Sequence, residues 1–403
     1  MKKMNDDYAR FDFEAGASYV RKDMFECLRK VDAAIFDCDG VLIDIRDSYN
    51  MAIRKAVSFL VSKLTGAAFP EDLISRKAIF CFKRTGGFNN DWDLTYAILL
   101  LVLQRLPVGA RKVLKQSAKE GLAVKSSSID RLLTVSNAVK KELNAQDFGN
   151  VSAGLEDWLE SFAAQAGSSG IDSIERALDR YSVNTDSNGF SEDLRSLLSY
   201  PGDVEKSLLV RAFEEIYCGS QLFEEIYRTR PLFYHGRGLA ENERVILEPQ
   251  TLKELSSLFG RENFGISSGR SFELARRKLS KILDWFKHEA VIFLEDMLNS
   301  SPLNGWRPAM GLLKPNPFSL LRSSKGLKPF EYAVYVGDSM EDLMAVRMAK
   351  RVEPHMTFAG VYRYSDCADE ILESFIESRA ELVIPSINEL PKVLRAIIEE
   401  DRK

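Results

Sequence analysis

The stretch Ala33-Ala34-Ile35-Phe36-Asp37-Cys38-Asp39-Gly40-Val41-Leu42 decides how the chain is read. An apolar, β-prone run delivers two carboxylates to the end of a strand, and Gly40 then lets the backbone turn sharply. Residues two apart on a strand share a face, so Asp37 and Asp39 point the same way. Such a pair can divide labour, one acid attacking an electrophile while the other gives and takes protons. Acids beside a glycine also make ordinary turns, but turn acids seldom end a fully apolar strand.

Outward from this strand the chain changes character twice. Residues 1–31 read as a polar lead-in followed by a helix over 16–29. From 46 to 230 the apolar spacing of three and four predicts helices almost throughout, including 48–64, 91–106, 128–143 and 204–229. From 245 onward strands are predicted at 263–267, 290–294, 333–336, 357–362 and 382–384, with helices between them, including 271–283 and 316–321. This alternation calls for a parallel sheet with helices on both faces. The expected fold is therefore α/β, a three-layer Rossmann-like parallel sheet with a large all-helical domain inserted after the first strand. Its domains are expected at 1–45 plus 233–403 and at 46–232.

Three further motifs fall at predicted strand ends, where open α/β sheets bind ligands. Gly265-Ile266-Ser267-Ser268-Gly269-Arg270 opens a helix, and a hydroxyl with backbone N–H groups there suits a phosphate oxygen. Ser268 and Gly269 are the candidates, although Ser267 or Ser268 could equally cap the helix. In Leu313-Lys314-Pro315-Asn316-Pro317 the residue before proline is held extended. The Lys314 ammonium can neutralise a nucleophile and a transferring phosphoryl group, or lie solvated at a loop end. In Tyr335-Val336-Gly337-Asp338-Ser339-Met340-Glu341-Asp342 the acids Asp338 and Asp342 lie one helical turn apart. Carboxylates so placed suit Mg²⁺. The alternative is that Asp338 or Ser339 caps the next helix, which explains one acid better than two. The histidines at 235, 288 and 355 lack zinc-type spacing.

Bulk properties set the class. The 403 residues suit two or three domains, and 45% hydrophobic with 28% charged residues describe an ordinary globular protein. With 55 basic and 59 acidic residues the net charge is -4, which gives no basic field for nucleic acid. The cysteines at 27, 38, 81, 218 and 367 are odd in number and unpaired in sequence, as in a reducing compartment. The polar, acidic start lacks the apolar stretch of a signal peptide, and the apolar run 97–103 is too short to span a bilayer. A cytoplasmic protein with no membrane or nucleic-acid partner is expected.

Together the motifs D-x-D-G at Asp37–Gly40, Ser268, Lys314-Pro315 and G-D-S-x-x-D at Gly337–Asp342 resemble those of the haloacid dehalogenase-like hydrolase superfamily. The inserted helices look like the C1-type cap of subfamily I, enlarged. The resemblance implies that Asp37 attacks phosphorus to form an aspartyl-phosphate. It implies that Asp39 protonates the leaving oxygen and then activates water, while Ser268 and Lys314 hold phosphoryl oxygens. It further implies Mg²⁺ bound by Asp37, Asp338 and the Asp39 backbone carbonyl, with Asp342 in the metal or water shell. Dehalogenating relatives lack the second acid, so Asp39 favours phosphoryl transfer.

Substrate choice is expected in the insertion. Lys83, Arg84, Asn89 and Asn90 offer donors suited to a phosphorylated, hydroxyl-rich molecule, and Gly86-Gly87 would let backbone approach a ligand. A helix end, a turn and an N-cap explain the same residues. The stretch 82–93 is similar to a small clade of subfamily IA. Tyr234-His235-Gly236-Arg237-Gly238 reads as a hinge. The expected activity is a Mg²⁺-dependent phosphatase acting on a small phosphorylated metabolite. The alternatives are a phosphomutase, a phosphonate hydrolase using Lys83, and a non-catalytic binding protein on the same core. The sequence leaves the substrate and the oligomeric state open.

Overall fold

The computed structural model describes residues 6–88, 90–121, 128–167, 169–182, 189–300 and 311–400. Its strands are β1 (Tyr8–Phe13), β2 (Gly16–Arg21), β3 (Val31–Phe36), β4 (Ile43–Asp44), β5 (Arg244–Val245), β6 (Phe264–Ser267), β7 (Val291–Ile292), β8 (Tyr332–Gly337), β9 (Met356–Val361) and β10 (Leu382–Ile384). An 8-stranded sheet runs in the order β1-β2-β10-β9-β8-β3-β6-β7, and β4 pairs with β5 in a separate ribbon. From β10 to β7 all neighbours are parallel. Residues 33–36 of β3 are wholly buried, as continuous apolar strands of a parallel sheet must be.

The topology places β3 between β6 and β8, with later strands laid down on either side of it. Strand order therefore reverses at β3. A reversal of this kind opens a crevice beyond the C-terminal strand ends, where α/β proteins bind ligands. On one face of the sheet Ala34, Phe36, Phe264, Ile266, Val334 and Val336 join a single apolar cluster with Leu252, Leu255, Val393 and Leu394. The last four come from the helices Pro249–Phe259 and Leu390–Glu400. On the parallel strands the packing holds the backbone that presents the acids.

The lead-in departs from expectation. Residues 16–21 are strand β2 rather than the start of a helix, which is confined to Phe25–Arg29. β1 and β2 form a hairpin whose register joins Phe13 to Gly16. Val20 and Tyr19 pair with Leu382 and Val383, almost at the other end of the chain. A partner so distant in sequence outweighs the local apolar spacing that suggested a helix. The parallel core thus begins at the third strand, and the unit 47–242 is inserted after it, beyond the short strand β4. Two smaller differences have local causes. The predicted 128–143 helix ends at Lys140, and Asn144 starts another over Ala145–Ser152 with a capping box closed by Asp147. The helix expected at 316–321 is Phe318–Leu327, because Pro315 and Pro317 delay its start.

The chain divides into two compact units, residues 1–46 with 243–403, and residues 47–242. The second unit is helical throughout its described elements. At its centre, Asp91–Gln104 is buried from Leu94 to Gln104, and a helix apolar on every side must lie inside a bundle. The long helix Leu208–Tyr227 carries the buried Glu215. Its carboxylate accepts the backbone N–H groups of Leu232, Phe233 and Tyr234 at 2.6–3.0 Å and pairs with Arg211 at 2.9 Å. No described helix is long and apolar enough to cross a membrane.

Glu215 thus ties three otherwise orphaned backbone donors and a buried guanidinium to one helix. Replacing it with Ala should destabilise the protein by about 3–5 kcal/mol, the cost of breaking a buried ion pair. Urea unfolding followed by circular dichroism checks this, and a loss under about 1 kcal/mol would contradict the role.

Candidate active site

Each acid is placed by backbone geometry. Asp37 follows β3 directly, and its N–H donates to the Val336 carbonyl of β8 at 2.9 Å. The chain then turns at Gly40, which has φ +72 and donates its N–H to the Ile43 carbonyl at 2.8 Å. A side chain at this position would collide with another acid: its Cβ would lie 2.0 Å from Asp338 Oδ2. Glycine at position 40 therefore serves the turn and also makes room for Asp338. Gly337 does the same for Asp342, whose Cβ would be 2.4 Å from a Cβ at 337.

Asp342 is fully buried and saturated with donors. Its Oδ2 accepts from the N–H groups of Asp338 and Ser339 at 3.2 and 3.1 Å and from the Ser339 hydroxyl at 2.7 Å. Its Oδ1 lies 2.9 Å from the Tyr335 hydroxyl and 2.7 Å from Lys314 Nζ. Ser339 and Asp342 complete a capping box for the helix Met340–Ala349. Capping and site building therefore share one motif, with Ser339 as the N-cap and Asp338 left to face the other acids.

Lys314 is the shared counterion. Its buried ammonium lies 2.9 Å from Asp37 Oδ1 as well as 2.7 Å from Asp342 Oδ1, and 5.3 Å from the centre of the Tyr335 ring. Oxygens of Asp37, Asp338 and Asp342 all lie within 4.8 Å of one another. Three carboxylates against one ammonium leave an excess of two negative charges when all are ionised. That excess matches a divalent cation, and carboxylate oxygens are the donors a hard cation takes.

Electrostatics reflect the crowding. Burial pushes the Asp37 carboxyl up to about 7, with Lys314 opposing and Asp342 and Asp39 reinforcing the rise. Burial likewise raises Asp338, aided by Asp342 and Asp37. Burial alone would lower the Lys314 ammonium, but Asp342 and Asp37 outweigh it and raise the group. Tyr335 is raised by burial and by Asp342, so it stays a neutral donor.

The remaining expected residues fall into two groups. Ser268 is buried just past β6, its N–H donating to the Ile292 carbonyl at 3.0 Å and its Oγ accepting the Arg270 N–H at 3.3 Å. Gly269 beside it is exposed. Neither serine caps the next helix. The Ser267 and Ser319 hydroxyls are 2.9 Å apart, and Glu295 accepts the Phe272 N–H at 2.9 Å. Asp39 turns to Arg270, 2.6 Å away, and is not part of the three-acid group.

In the helical unit Lys83 pairs with Asp91 at 2.8 Å and Arg84 is exposed. Asn90 caps its helix by accepting the Trp92 N–H at 2.8 Å, while Asn89 lies outside the described residues. The glycines have a structural cause: a Cβ on Gly87 would lie 2.2 Å from the Gly167 carbonyl oxygen. Backbone approaches backbone there. Gly238 similarly abuts Cys218, and Arg237 pairs with Glu241 at 2.6 Å. Sequence reasoning passed over Tyr335, Arg270 and Glu243. The first two stand inside quoted motifs, but Glu243 carries no local signal at all.

Two outcomes follow from this geometry. The folded-state value of Asp37, about 7, lies above its ordinary 3.8, so the native state holds the extra proton between these limits. In chelator, the stability this contributes should be present below pH ~4 and lost as pH rises through ~7. Thermal unfolding at pH 5 and pH 8 should show a smaller fall for Asp37→Asn than for the unaltered protein; an equal fall would contradict the assignment. Gly40→Ala, which forces a left-handed residue costing about 1–2 kcal/mol and displaces Asp338, should lower the melting temperature measured in chelator. An unchanged melting temperature would show that neither the turn nor Asp338 requires a glycine there.

The sequence matches no family model, and no curated protein matches it. Among solved structures the chain is similar to phosphatase Tt82 from Thermococcus thioreducens, with 21% identity, 85% of this chain and 98% of that chain covered, and a TM-score of 0.42. A likeness this distant carries no argument about activity, which rests on the site itself.

Proposed function

We propose that this chain is a Mg²⁺-dependent phosphoric monoester hydrolase working through an aspartyl-phosphate, with residues 47–242 acting as its cap and a small phosphorylated metabolite as substrate. The observation that carries the reading is the Asp37 carboxylate at a strand-order reversal, 2.9 Å from Lys314 and grouped with Asp338 and Asp342. It agrees with the motif resemblance to haloacid dehalogenase-like hydrolases.

In this reading Asp37 attacks phosphorus, the bond from phosphorus to the ester oxygen breaks, and Asp39, which enters the step in its protonated form, gives that oxygen its proton. A water then attacks the phosphoryl group on Asp37, Asp39 takes the proton of that water, and phosphate leaves with the carboxylate restored. Lys314 is close enough to the Asp37 oxygen to orient it and to offset charge on the transferring group. Ser268 and the Gly269 backbone would receive a phosphoryl oxygen. Asp37, Asp338 and Asp342 would hold Mg²⁺ or its water shell, with the Asp39 carbonyl as a further ligand. Bound there, the ion would supply Lewis-acid stabilisation of phosphoryl charge.

The test is hydrolysis of p-nitrophenyl phosphate in Mg²⁺. Asp37→Asn should lower kcat by about a thousandfold or more with the fold intact, and chelation should abolish turnover until Mg²⁺ is restored. An Asp37→Asn protein with full activity would sink the assignment.

A further inference from the structure

Arg270 lies against Asp39, and nothing in the proposed chemistry uses it. Its side chain is 1% exposed, and its guanidinium spans two carboxylates: Nη1 is 2.6 Å from Asp39 Oδ1 and Nη2 is 2.5 Å from Glu243 Oε2. The Glu243 side chain is wholly buried, whereas Asp39 keeps 27% of its own exposed. One partner is therefore an anchor, and the other faces the site. Arginine suits this task because its planar fork fixes the direction of each bond, which a lysine point charge does not.

The anchor is itself held. The Glu243 carbonyl accepts Lys278 Nζ at 3.1 Å. The Arg270 N–H donates to Ser268 Oγ at 3.3 Å, and its carbonyl accepts the Leu294 N–H at 3.1 Å. Glu243 immediately precedes β5, which pairs with β4 just after the acid loop, so both ends of the bridge are braced by one ribbon. The two buried cations thus divide the acids between them. Lys314 takes Asp37 and Asp342, and Arg270 draws Asp39 away from that group.

We infer that Arg270, oriented by Glu243, is the positioning residue that aims Asp39 at the leaving oxygen. The inference rests on the phosphatase reading above. A catalytic group displaced by about 1 Å loses on the order of a hundredfold in rate. That loss should appear only where the leaving oxygen needs a proton.

The experiment compares kcat/KM for glycerol phosphate, whose alkoxide must be protonated, with that for p-nitrophenyl phosphate, whose phenolate leaves unaided. This ratio reports steps up to departure of the leaving group, so later hydrolysis of the aspartyl-phosphate does not enter it. Arg270→Gln should lower kcat/KM for glycerol phosphate about a hundredfold and for p-nitrophenyl phosphate less than about tenfold. Asp39→Asn should show the same selectivity, and the double variant should add little to either. Glu243→Gln, which keeps Arg270 and its bond to Asp39, should show the same selectivity more weakly and serves if Arg270→Gln does not fold. Equal losses on both esters in a folded variant, or additive losses with Asp39→Asn, would overturn the inference alone. Unaltered protein inert toward both esters would overturn the phosphatase reading and this inference with it.

Discussion

Four carboxylates cannot crowd the ends of two adjacent strands without compensating charge, and here the compensation is buried. The Lys314 ammonium lies within hydrogen-bond distance of Asp37 and Asp342. Burial would favour its neutral form, yet the two acids outweigh burial and keep it charged. Burial raises the Asp37 and Asp338 carboxyls, and the carboxylate charge that Lys314 does not cancel raises them further. The same imbalance that makes the site costly to fold makes it attractive to a divalent cation. Stability and chemistry are opposed here, as expected where charged groups are assembled for function.

Backbone geometry makes the arrangement possible. Gly40 and Gly337 stand where a Cβ would strike Asp338 and Asp342. Both glycines lie beside acids in sequence, and their purpose becomes clear only from the acid each accommodates, Asp338 across the strand ends for Gly40 and Asp342 in the following helix for Gly337. The parallel sheet supplies rigidity: β3 is held on one side by β8 and on the other by β6. Acids emerging from such strands are fixed by the core rather than by their own loops.

In the helical unit the same physics leads to a different conclusion. The Gly86-Gly87 turn, Lys83 and Asn90 have the residue types of a ligand site, but Gly87 packs on the backbone near Gly167, Lys83 meets Asp91 and Asn90 caps a helix. Each is accounted for by an interaction within the unit. Glycine signals close approach, and in a single sequence nothing distinguishes a ligand from another stretch of backbone.

From the sequence alone came the alternation of strands and helices, and the acids and serine at strand ends. Those features are local, written in apolar runs, turn residues and capping chemistry. The hairpin β1-β2 was not legible, because its partner β10 lies almost at the other end of the chain. Nor was the division of the acids into two groups, Asp37 and Asp342 beside Lys314 and Asp39 beside Arg270, which also pairs with Glu243. Only the fold brings Asp39, Glu243 and Arg270 within hydrogen-bond distance. Local chemistry determines which groups are available; long-range packing decides which charges become neighbours, because electrostatic coupling depends on separation in space and not along the chain.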